Sequence, residues 1–334
     1  MKTKVLLLLF SLALLFGMMP SCKKEADPAP AVLHPVSLSY PNYVPAPNLS
    51  PDNPLTEEGV ALGRRLYYDP MLSNDGRACA TCHNQLRGFT DSVSNALPHV
   101  NLAWNRFFLW NGKISGTLED AMDFEVGEFF QTDVSKLNAD PSYPALFRQV
   151  FGETPVTRRQ VALALAQFMA TQVSMNSRFD RYLRKELMLS DTELRGFYIF
   201  NSERGDCFHC HSLGLFTDGQ FRNNGLDDQF VGVNQGRFLV SGNPSDMGRF
   251  KTPALRNVAL SAPFMHDGRY KTLEDVIEFY NSGVRQSPTL DPIMTKPSFQ
   301  NGLQLSADDK ADLLAFLKSL TDEDFLSNPK LSAP

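Results

Sequence analysis

Hydrophobic residues recur at helical spacing in several separate segments of the chain. A period of three to four residues is typical of helices that bury one face. The longest such pattern spans residues 157–184, and another follows Ser306, which forms a capping box with Asp309. Strand-like alternation is rare, so the pattern predicts a mainly α protein with long loops. The apolar positions are Leu62, Leu66 and Tyr67; Val161, Leu165, Phe168 and Met169; Leu194, Phe197, Tyr198 and Phe200; Leu273, Val276, Ile277 and Tyr280; and Leu313, Leu314 and Leu317.

The first residues of the chain have a different pattern. Lys2 and Lys4 precede a continuous apolar run, which is too short to span a bilayer and is typical of a signal-peptide core. Cys22 follows this core and precedes a proline-rich stretch, as in a bacterial lipoprotein signal. We therefore expect residues 1–22 to be a signal segment with Cys22 lipidated, and residues 23–53 to be a flexible tether. An ordinary signal peptide cleaved nearby is the alternative, and both predict a periplasmic or cell-envelope protein.

Composition narrows the class of protein. The 334 residues suit two domains of ordinary size, and 43% hydrophobic with 21% charged residues is typical of a soluble globular protein. The net charge is −5 and no basic tract is present, which excludes nucleic acid as an expected partner.

Four of the five cysteines form two copies of one motif. "CATCH" at 79–83 and "CFHCH" at 207–211 both read Cys-x-x-Cys-His, the signature of covalent haem c attachment. Structural zinc would favour two pairs closer together, and a thioredoxin-like pair would need only one copy. The motifs therefore predict two haem c groups, whose thioether ligands are Cys79, Cys82, Cys207 and Cys210 and whose proximal iron ligands are His83 and His211.

Each motif follows a similar lead-in. A predicted helix runs into a glycine-containing turn and then into the cysteines, and the second copy lies 128 residues after the first. This repetition predicts two tandem cytochrome-c-like domains. We place them at residues 54–188 and 189–325.

Four segments between residues 54 and 322 resemble the bacterial di-haem cytochrome c peroxidase family, which includes the enzyme MauG. They are "LGRRLYYDPMLSNDGRACATCHNQLRGFTD", "NALPHVNLAWNRFFLWNGK", "GDCFHCHSLGLFTDGQFRNNGL" and "KTPALRNVALSAPFMHDGRYKTLEDVIEFY". The resemblance implies a peroxidatic haem in the first domain and an electron-transfer haem in the second. It predicts reduction of hydrogen peroxide to water with electrons from a small donor protein or a quinol, in a chain that is a monomer or a homodimer. A MauG-like oxidase of a protein or small molecule is one alternative, and a non-catalytic di-haem electron carrier is the other.

The resemblance also assigns catalytic residues. Trp110 takes the place of the family's electron relay between the haems. A distal carboxyl must move the proton of peroxide. Glu128 best matches the family's distal glutamate, and Glu125 is the alternative. Many members carry a histidine that blocks the reactive iron, but none lies between His83 and Asn95, and His99 is interpreted as structural.

Two further sites come from the resemblance. A calcium ion is expected to bind Asn95 and the backbone carbonyls of Ser261 and Pro263. Tyr280 stands fourteen residues after His266, where many members have the methionine that ligates the second haem and the MauG branch has tyrosine. A phenolate ligand stabilises ferric iron. A buried core tyrosine is the alternative, while Met265 is interpreted as packing and His266 as a structural hydrogen-bonding residue.

Overall fold

The computed structural model describes residues 32–93, 95–152, 155–295 and 302–334, which all belong to one compact unit. The predicted signal segment, Cys22 and the start of the predicted tether lie outside these ranges. None of the helices in the described ranges is long and apolar enough to cross a membrane.

The fold is mainly helical with long loops, which confirms the predicted class. Two short antiparallel hairpins complete it: β1 (Phe107–Phe108) pairs with β2 (Ile114–Ser115), and β3 (Phe221–Arg222) pairs with β4 (Phe250–Lys251). The helices in the described ranges are α1 (Glu57–Tyr68), α2 (Cys79–Cys82), α3 (Leu118–Phe124), α4 (Val134–Ala139), α5 (Tyr143–Phe151), α6 (Arg158–Ala170), α7 (Arg178–Leu183), α8 (Asp191–Phe200), α9 (Phe238–Ser241), α10 (Leu273–Glu278), α11 (Ala307–Lys318) and α12 (Glu323–Ser327).

Two of these helices continue into a wider π-helical turn. One turn, Glu125–Phe129, follows α3, and the other, Phe279–Gly283, follows α10. Such turns are rare and are frequent at functional sites.

A close helix pair precedes and follows each Cys-x-x-Cys-His motif. Helix α1 packs on α6, and α8 packs on α11. Both contacts depend on glycine, because a Cβ at Gly63 would overlap the carbonyl oxygen of Ala164, and one at Gly196 would overlap that of Asp312. The two halves therefore share one architecture, with a glycine at each helix crossing.

Hydrophobic side chains form two separate cores. The first is built mainly from α1, α3, α5 and α6, and it also takes Phe325, Leu326 and Leu331 from the end of the chain. The second contains α8, α10 and α11 and begins at Phe179. Each core surrounds one of the two cysteine motifs.

The helical pattern over residues 157–184 forms two helices rather than one. Helix α6 ends at Ala170, and α7 starts at its N-cap Ser177. The connecting Ser174 is buried and bonded to Asn101 and Asp322, so the chain turns while its hydrophobic period continues. Because Phe179 packs in the second core, the division between cores falls before α7, earlier than residue 188.

The described part of the predicted tether packs against the folded chain. Val36 donates its amide to Leu55 O at 2.9 Å, and the Trp104 indole donates to Pro45 O at 2.7 Å. Val44 is buried. From Val36 onward this segment therefore lies on the protein surface instead of extending from it.

One buried ion pair joins three parts of the chain. Arg256 and Asp180 are almost fully buried and form two bonds, Nη1 to Oδ2 at 2.7 Å and Nη2 to Oδ1 at 2.9 Å. Tyr43 also donates to Asp180 at 3.2 Å. Burial acts to raise the pKa of Asp180, but the Arg256 guanidinium outweighs it and holds the pKa below its ordinary value.

Candidate functional site

Both cysteine motifs are wound into about one helical turn. His83 donates its backbone amide to Cys79 O at 3.1 Å, and His211 donates to Cys207 O at 2.9 Å. The four thiols Cys79, Cys82, Cys207 and Cys210 are free. This turn brings the two cysteines and the histidine of each motif close together, as covalent haem attachment requires.

The thiols of the second motif lie in an apolar environment. Burial raises the pKa of Cys207 to about 12 and that of Cys210 to about 11. A catalytic dithiol needs the opposite, a lowered pKa that stabilises the thiolate. The environment therefore argues against the thioredoxin-like alternative.

The two motif histidines are oriented by the same backbone device. His83 Nδ1 donates to Phe89 O and His211 Nδ1 donates to Phe216 O, each at 2.9 Å. Both phenylalanines are buried and have a positive φ, 59° and 55°, which turns their carbonyls back toward the ring. Because the carbonyl takes the Nδ1 proton, Nε2 remains as the iron-binding nitrogen of each ring.

Burial keeps both rings neutral. It lowers the pKa of His83 to about 4 and also lowers the pKa of His211. A histidine must be neutral to bind a metal ion.

A cavity of about 230 Å³ opens at the second motif, many times the ~30 Å³ occupied by one water molecule. Its walls are mostly apolar, with aliphatic side chains from α10 and α11 and aromatic side chains such as Phe200 and Phe264 from other segments. Its lining residues include Trp110, Cys207, Cys210, His211, Asn224, Lys251, Met265 and Tyr280. A haem c held by Cys207, Cys210 and His211 fits a cavity of this character.

Trp110 lies where the two cores meet. Phe108, two residues before Trp110, is buried in the first core, while Trp110 itself lines the cavity at the second motif. The Trp110 carbonyl accepts from Lys251 N at 2.8 Å. Its buried indole Nε1 has no acceptor among the described residues, so it is available to a polar group of a bound haem.

Tyr280 points its hydroxyl into the same cavity. Asn224 Nδ2 donates to the Tyr280 hydroxyl at 3.0 Å. Burial raises the pKa of Tyr280, so the free side chain is a neutral phenol. The sequence assignment of Tyr280 is thus compatible with the geometry, since the phenol and His211 line one cavity.

The two candidate distal glutamates have different environments. Glu128 is exposed, whereas burial raises the pKa of Glu125 to about 7. Glu125 also lies near the first motif, since after burial its charge is the next cause of the raised pKa of Cys79. The distal carboxyl stays a prediction, and of the two candidates Glu125 is partly enclosed by the π-helical turn whereas Glu128 lies in solvent.

A sequence repeat would have found Glu125. Thr-Leu-Glu-Asp occurs at 117–120 and again at 272–275, and each copy starts a helix that ends in a π-helical turn. Glu125 and Tyr280 stand eight residues after the first threonine of their copies. The residue equivalent to the candidate iron ligand of the second half is thus the buried carboxyl of the first.

His99 lies beside the proximal histidine of the first motif. Its ring stacks on His83 with centroids 3.4 Å apart, and its Nδ1 bonds the Tyr67 hydroxyl at 3.0 Å. This position agrees with a structural role.

Asn95 lies beside the loop that follows Ser261, and calcium binding there stays a prediction. Asn95 Nδ2 donates to the carbonyls of Met265 and His266, both at 3.0 Å, and Asn95 lines the cavity with Ser261 and Pro263. The nearby His266 ring stacks on Phe250 at 3.6 Å.

Lys251 is a candidate functional residue of the cavity that the sequence did not indicate. It is buried in the cavity wall beside Trp110, and burial lowers its pKa to about 8. A lysine in a strand-like segment without a charged neighbour carries no recognisable sequence signal.

Together, two motifs for covalent haem, a buried carboxyl at one and a tyrosine at the other define a two-centre redox protein. The profile of the di-haem cytochrome c peroxidase family matches residues 57–187. MauG of Methylorubrum extorquens is 36% identical over 307 residues, covering 85% of this chain and 83% of MauG. Cytochrome-c peroxidase IdrP1 of a Pseudomonas species is 30% identical, covering 94% and 91%. A MauG-like protein associated with microbial copper homeostasis superposes with a TM-score of 0.82 and 32% identity, covering 90% of this chain and 99% of that one.

The chain belongs to the di-haem cytochrome c peroxidase and MauG family, which confirms the resemblance. Membership implies two covalent haem c groups and an oxidoreductase that acts on hydrogen peroxide.

Proposed function

We propose that this protein is a MauG-like oxidase, which uses hydrogen peroxide at the first haem to oxidise a protein or small molecule. The proposal rests on the Tyr280 hydroxyl, which lies in the cavity at the second motif and accepts a hydrogen bond from Asn224 Nδ2 at 3.0 Å. A tyrosinate ligand favours the higher oxidation states of iron, which suits storage of an oxidising equivalent better than receipt of electrons.

At the first site, His83 would hold the iron and Cys79 and Cys82 would hold the haem edge. When bound, this haem supplies an iron with an open position for peroxide. Glu125 takes the first proton of hydrogen peroxide and returns it to the departing oxygen, so that the O–O bond breaks heterolytically and water leaves. Its pKa of about 7 suits both proton transfers near neutral pH.

At the second site, Cys207 and Cys210 would attach the haem, and His211 and Tyr280 would hold its iron. Trp110 would connect the sites, because Phe108, two residues before it, lies in the first core and Trp110 itself lines the cavity at the second motif. Its indole would serve as a relay for electrons between the two haem sites.

Reduction of peroxide to water with electrons from a donor protein or quinol is the second candidate. The same Glu125 chemistry and the same Trp110 relay support it, and the 30% identical Pseudomonas relative bears the name cytochrome-c peroxidase. The two proposals differ in the source of the electrons, which is an oxidised substrate in the first and a donor protein or quinol in the second.

Two sites outside the chemistry complete the proposal. Lipidation of Cys22 would hold the exported protein at a membrane surface of the cell envelope. A calcium ion at Asn95, Ser261 and Pro263 would stabilise the loop that contains Met265 and His266, which line the cavity at the second motif.

Spectra of the resting ferric protein test the haem assignments. We expect one high-spin haem and one low-spin haem. Tyr280→Phe should change only the low-spin signal, while the control Tyr270→Phe, outside the cavity wall, should leave both unchanged. An unchanged low-spin signal in Tyr280→Phe would sink the MauG-like proposal, and two low-spin haems would identify an electron carrier.

Peroxide assays separate the two enzymes. A MauG-like oxidase should consume one equivalent of peroxide without a reductant and keep both haems oxidised. With reduced c-type cytochrome present, it should turn over peroxide only slowly. Rapid multiple turnover with reduced cytochrome or quinol would instead establish the peroxidase.

A further inference from the structure

The amide of Asn224 contacts two possible iron ligands. Its Nδ2 lies 3.0 Å from the Tyr280 hydroxyl and 3.9 Å from Met265 Sδ. Both side chains line the cavity that contains His211. The oxygen and the sulfur therefore both lie within reach of one nitrogen at the wall of this cavity.

The backbone at Met265 is held in an unusual conformation. Its φ is +70°, a left-handed value that costs free energy for a residue other than glycine. Asn95 Nδ2 fixes the residue there by donating to Met265 O at 3.0 Å. Strained residues of this kind concentrate at functional sites, and this one presents a thioether beside the candidate phenolate ligand.

We propose that Met265 replaces Tyr280 as an axial ligand of the second haem when the iron is reduced. The proposal rests on Tyr280 being the ferric ligand, as stated under the proposed function. A phenolate is a hard anion and favours ferric iron, whereas a neutral thioether favours ferrous iron. The two oxidation states thus select different members of the pair.

The exchange balances as one electron and one proton. A one-electron donor, of the class of a reduced c-type cytochrome, reduces the iron. The bond from iron to the Tyr280 oxygen breaks, that oxygen takes one proton from solvent, and a bond from iron to Met265 Sδ forms. Asn224 Nδ2 lies within reach of both atoms in either state, since nitrogen–hydrogen groups bond to phenol oxygen and, more weakly, to thioether sulfur.

Met294 provides a matched control. It lines the same cavity, but it is buried in the second hydrophobic core on the chain segment after Asp291, and among the described residues it forms no hydrogen bond with Asn224. Substitution of either methionine by leucine removes a sulfur and keeps a similar volume.

The first experiment uses the unmodified di-haem protein. Resonance Raman and magnetic circular dichroism spectra are recorded for the ferric protein and after full reduction with dithionite. We expect phenolate vibrations at the second haem in the ferric state, and their replacement by a low-spin histidine–thioether signature in the ferrous state. A ferrous protein that keeps the phenolate vibrations, or whose second haem is high-spin, would overturn the exchange.

The second experiment compares Met265→Leu with Met294→Leu, using carbon monoxide as the probe. In wild-type protein and in Met294→Leu, the ferrous second haem should not bind carbon monoxide. In Met265→Leu it should bind one equivalent while the ferric spectrum stays that of wild type, and its reduction potential should fall. Equal behaviour of the two variants would refute the role of Met265.

Failure of the underlying assignment has a different result. If Tyr280→Phe has the ferric spectrum of wild type, Tyr280 is not a ligand and the proposed function fails together with the exchange. If Tyr280→Phe instead acquires the histidine–thioether signature in the ferric state, and Tyr280→Phe/Met265→Leu loses it, the ligand exchange is supported.

Discussion

The segment from Thr117 to Phe129 in the first half and that from Thr272 to Gly283 in the second have the same architecture and different chemistry. Each begins with Thr-Leu-Glu-Asp, forms a short α-helix and widens into a π-helical turn. The turn presents Glu125 near the first motif and Tyr280 in the cavity of the second. One repeated scaffold therefore carries a candidate proton-transfer group on one side and a candidate iron ligand on the other.

The proximal sides of the two halves differ much less. A carbonyl from a phenylalanine with positive φ orients His83 and His211 alike, at the same 2.9 Å. The two halves are thus alike where both haems need the same histidine ligand. They differ on the opposite side, where one iron must stay open and the other must have a ligand.

The largest expected effect comes from removing the carboxylate of the first half. Glu125→Gln should lower peroxide turnover by about 100-fold or more, because general acid–base groups contribute about that much. The control Glu128→Gln, at an exposed position of the same turn, should retain wild-type turnover. Stopped-flow reaction with peroxide measures both.

The pH profile sharpens the same comparison. Proton acceptance needs ionised Glu125, whose pKa is about 7, so the rate of reaction with peroxide should rise as the pH increases through 7 and then level off. Glu125→Gln should lack this rise. A wild-type profile that is flat from pH 5 to 9 would contradict the role of Glu125.

The stability of the second half should depend more on its buried Arg256–Asp180 ion pair than that of the first half depends on its exposed Arg77–Asp75 pair. Asp180→Asn leaves Arg256 buried without its partner, and breaking such pairs costs about 3–5 kcal/mol. Urea unfolding of the di-haem protein at pH 7 measures the loss. Asp75→Asn, in an exposed pair with Arg77, is the control and should unfold as wild type.

The pH dependence of this loss has a definite sign. The folded-state pKa of Asp180 lies below its ordinary value of 3.8, so its contribution is complete above pH 3.8 and disappears as the pH falls through the folded-state pKa. The difference between wild type and Asp180→Asn should therefore narrow in strong acid. A difference that grows in acid would contradict the ion-pair account.

The two helix crossings should respond equally to added volume. Gly63→Ala and Gly196→Ala each place a methyl group against a backbone carbonyl, and overpacking of this kind costs about 1–3 kcal/mol. At the control Gly127→Ala, the new Cβ meets no atom of the described residues within 4 Å. Thermal unfolding distinguishes them, and a loss confined to one crossing would show that the architecture is not shared.

The smallest effect should separate the two helix starts. The Thr272 hydroxyl accepts from Asp275 N at 3.1 Å, whereas the Thr117 hydroxyl donates to the Asp120 carboxylate at 3.1 Å. Thr272→Ala should therefore cost about 1 kcal/mol, the usual value for a lost N-cap, and Thr117→Ala should cost less. Equal losses in urea unfolding would mean that the caps are equivalent.

Local chemistry explains what could be predicted without coordinates. Haem attachment needs two cysteines and a histidine within five consecutive residues, so Cys79, His83, Cys207 and His211 are recognisable from spacing alone. The mainly helical class followed from hydrophobic period. The Tyr280 assignment is what the family resemblance implies for the position fourteen residues after His266, and it stays a prediction.

The sequence by itself determined that the chain has two covalent haem sites on a helical scaffold and which residues attach the haems, because those requirements are satisfied within a few neighbouring residues. Only the tertiary structure showed that Glu125 is partly enclosed while Glu128 is exposed, ended the first core before α7, and brought Asn224 to Tyr280 and Met265. Those outcomes depend on which side chains lose contact with water, and burial is decided by segments far apart in the chain.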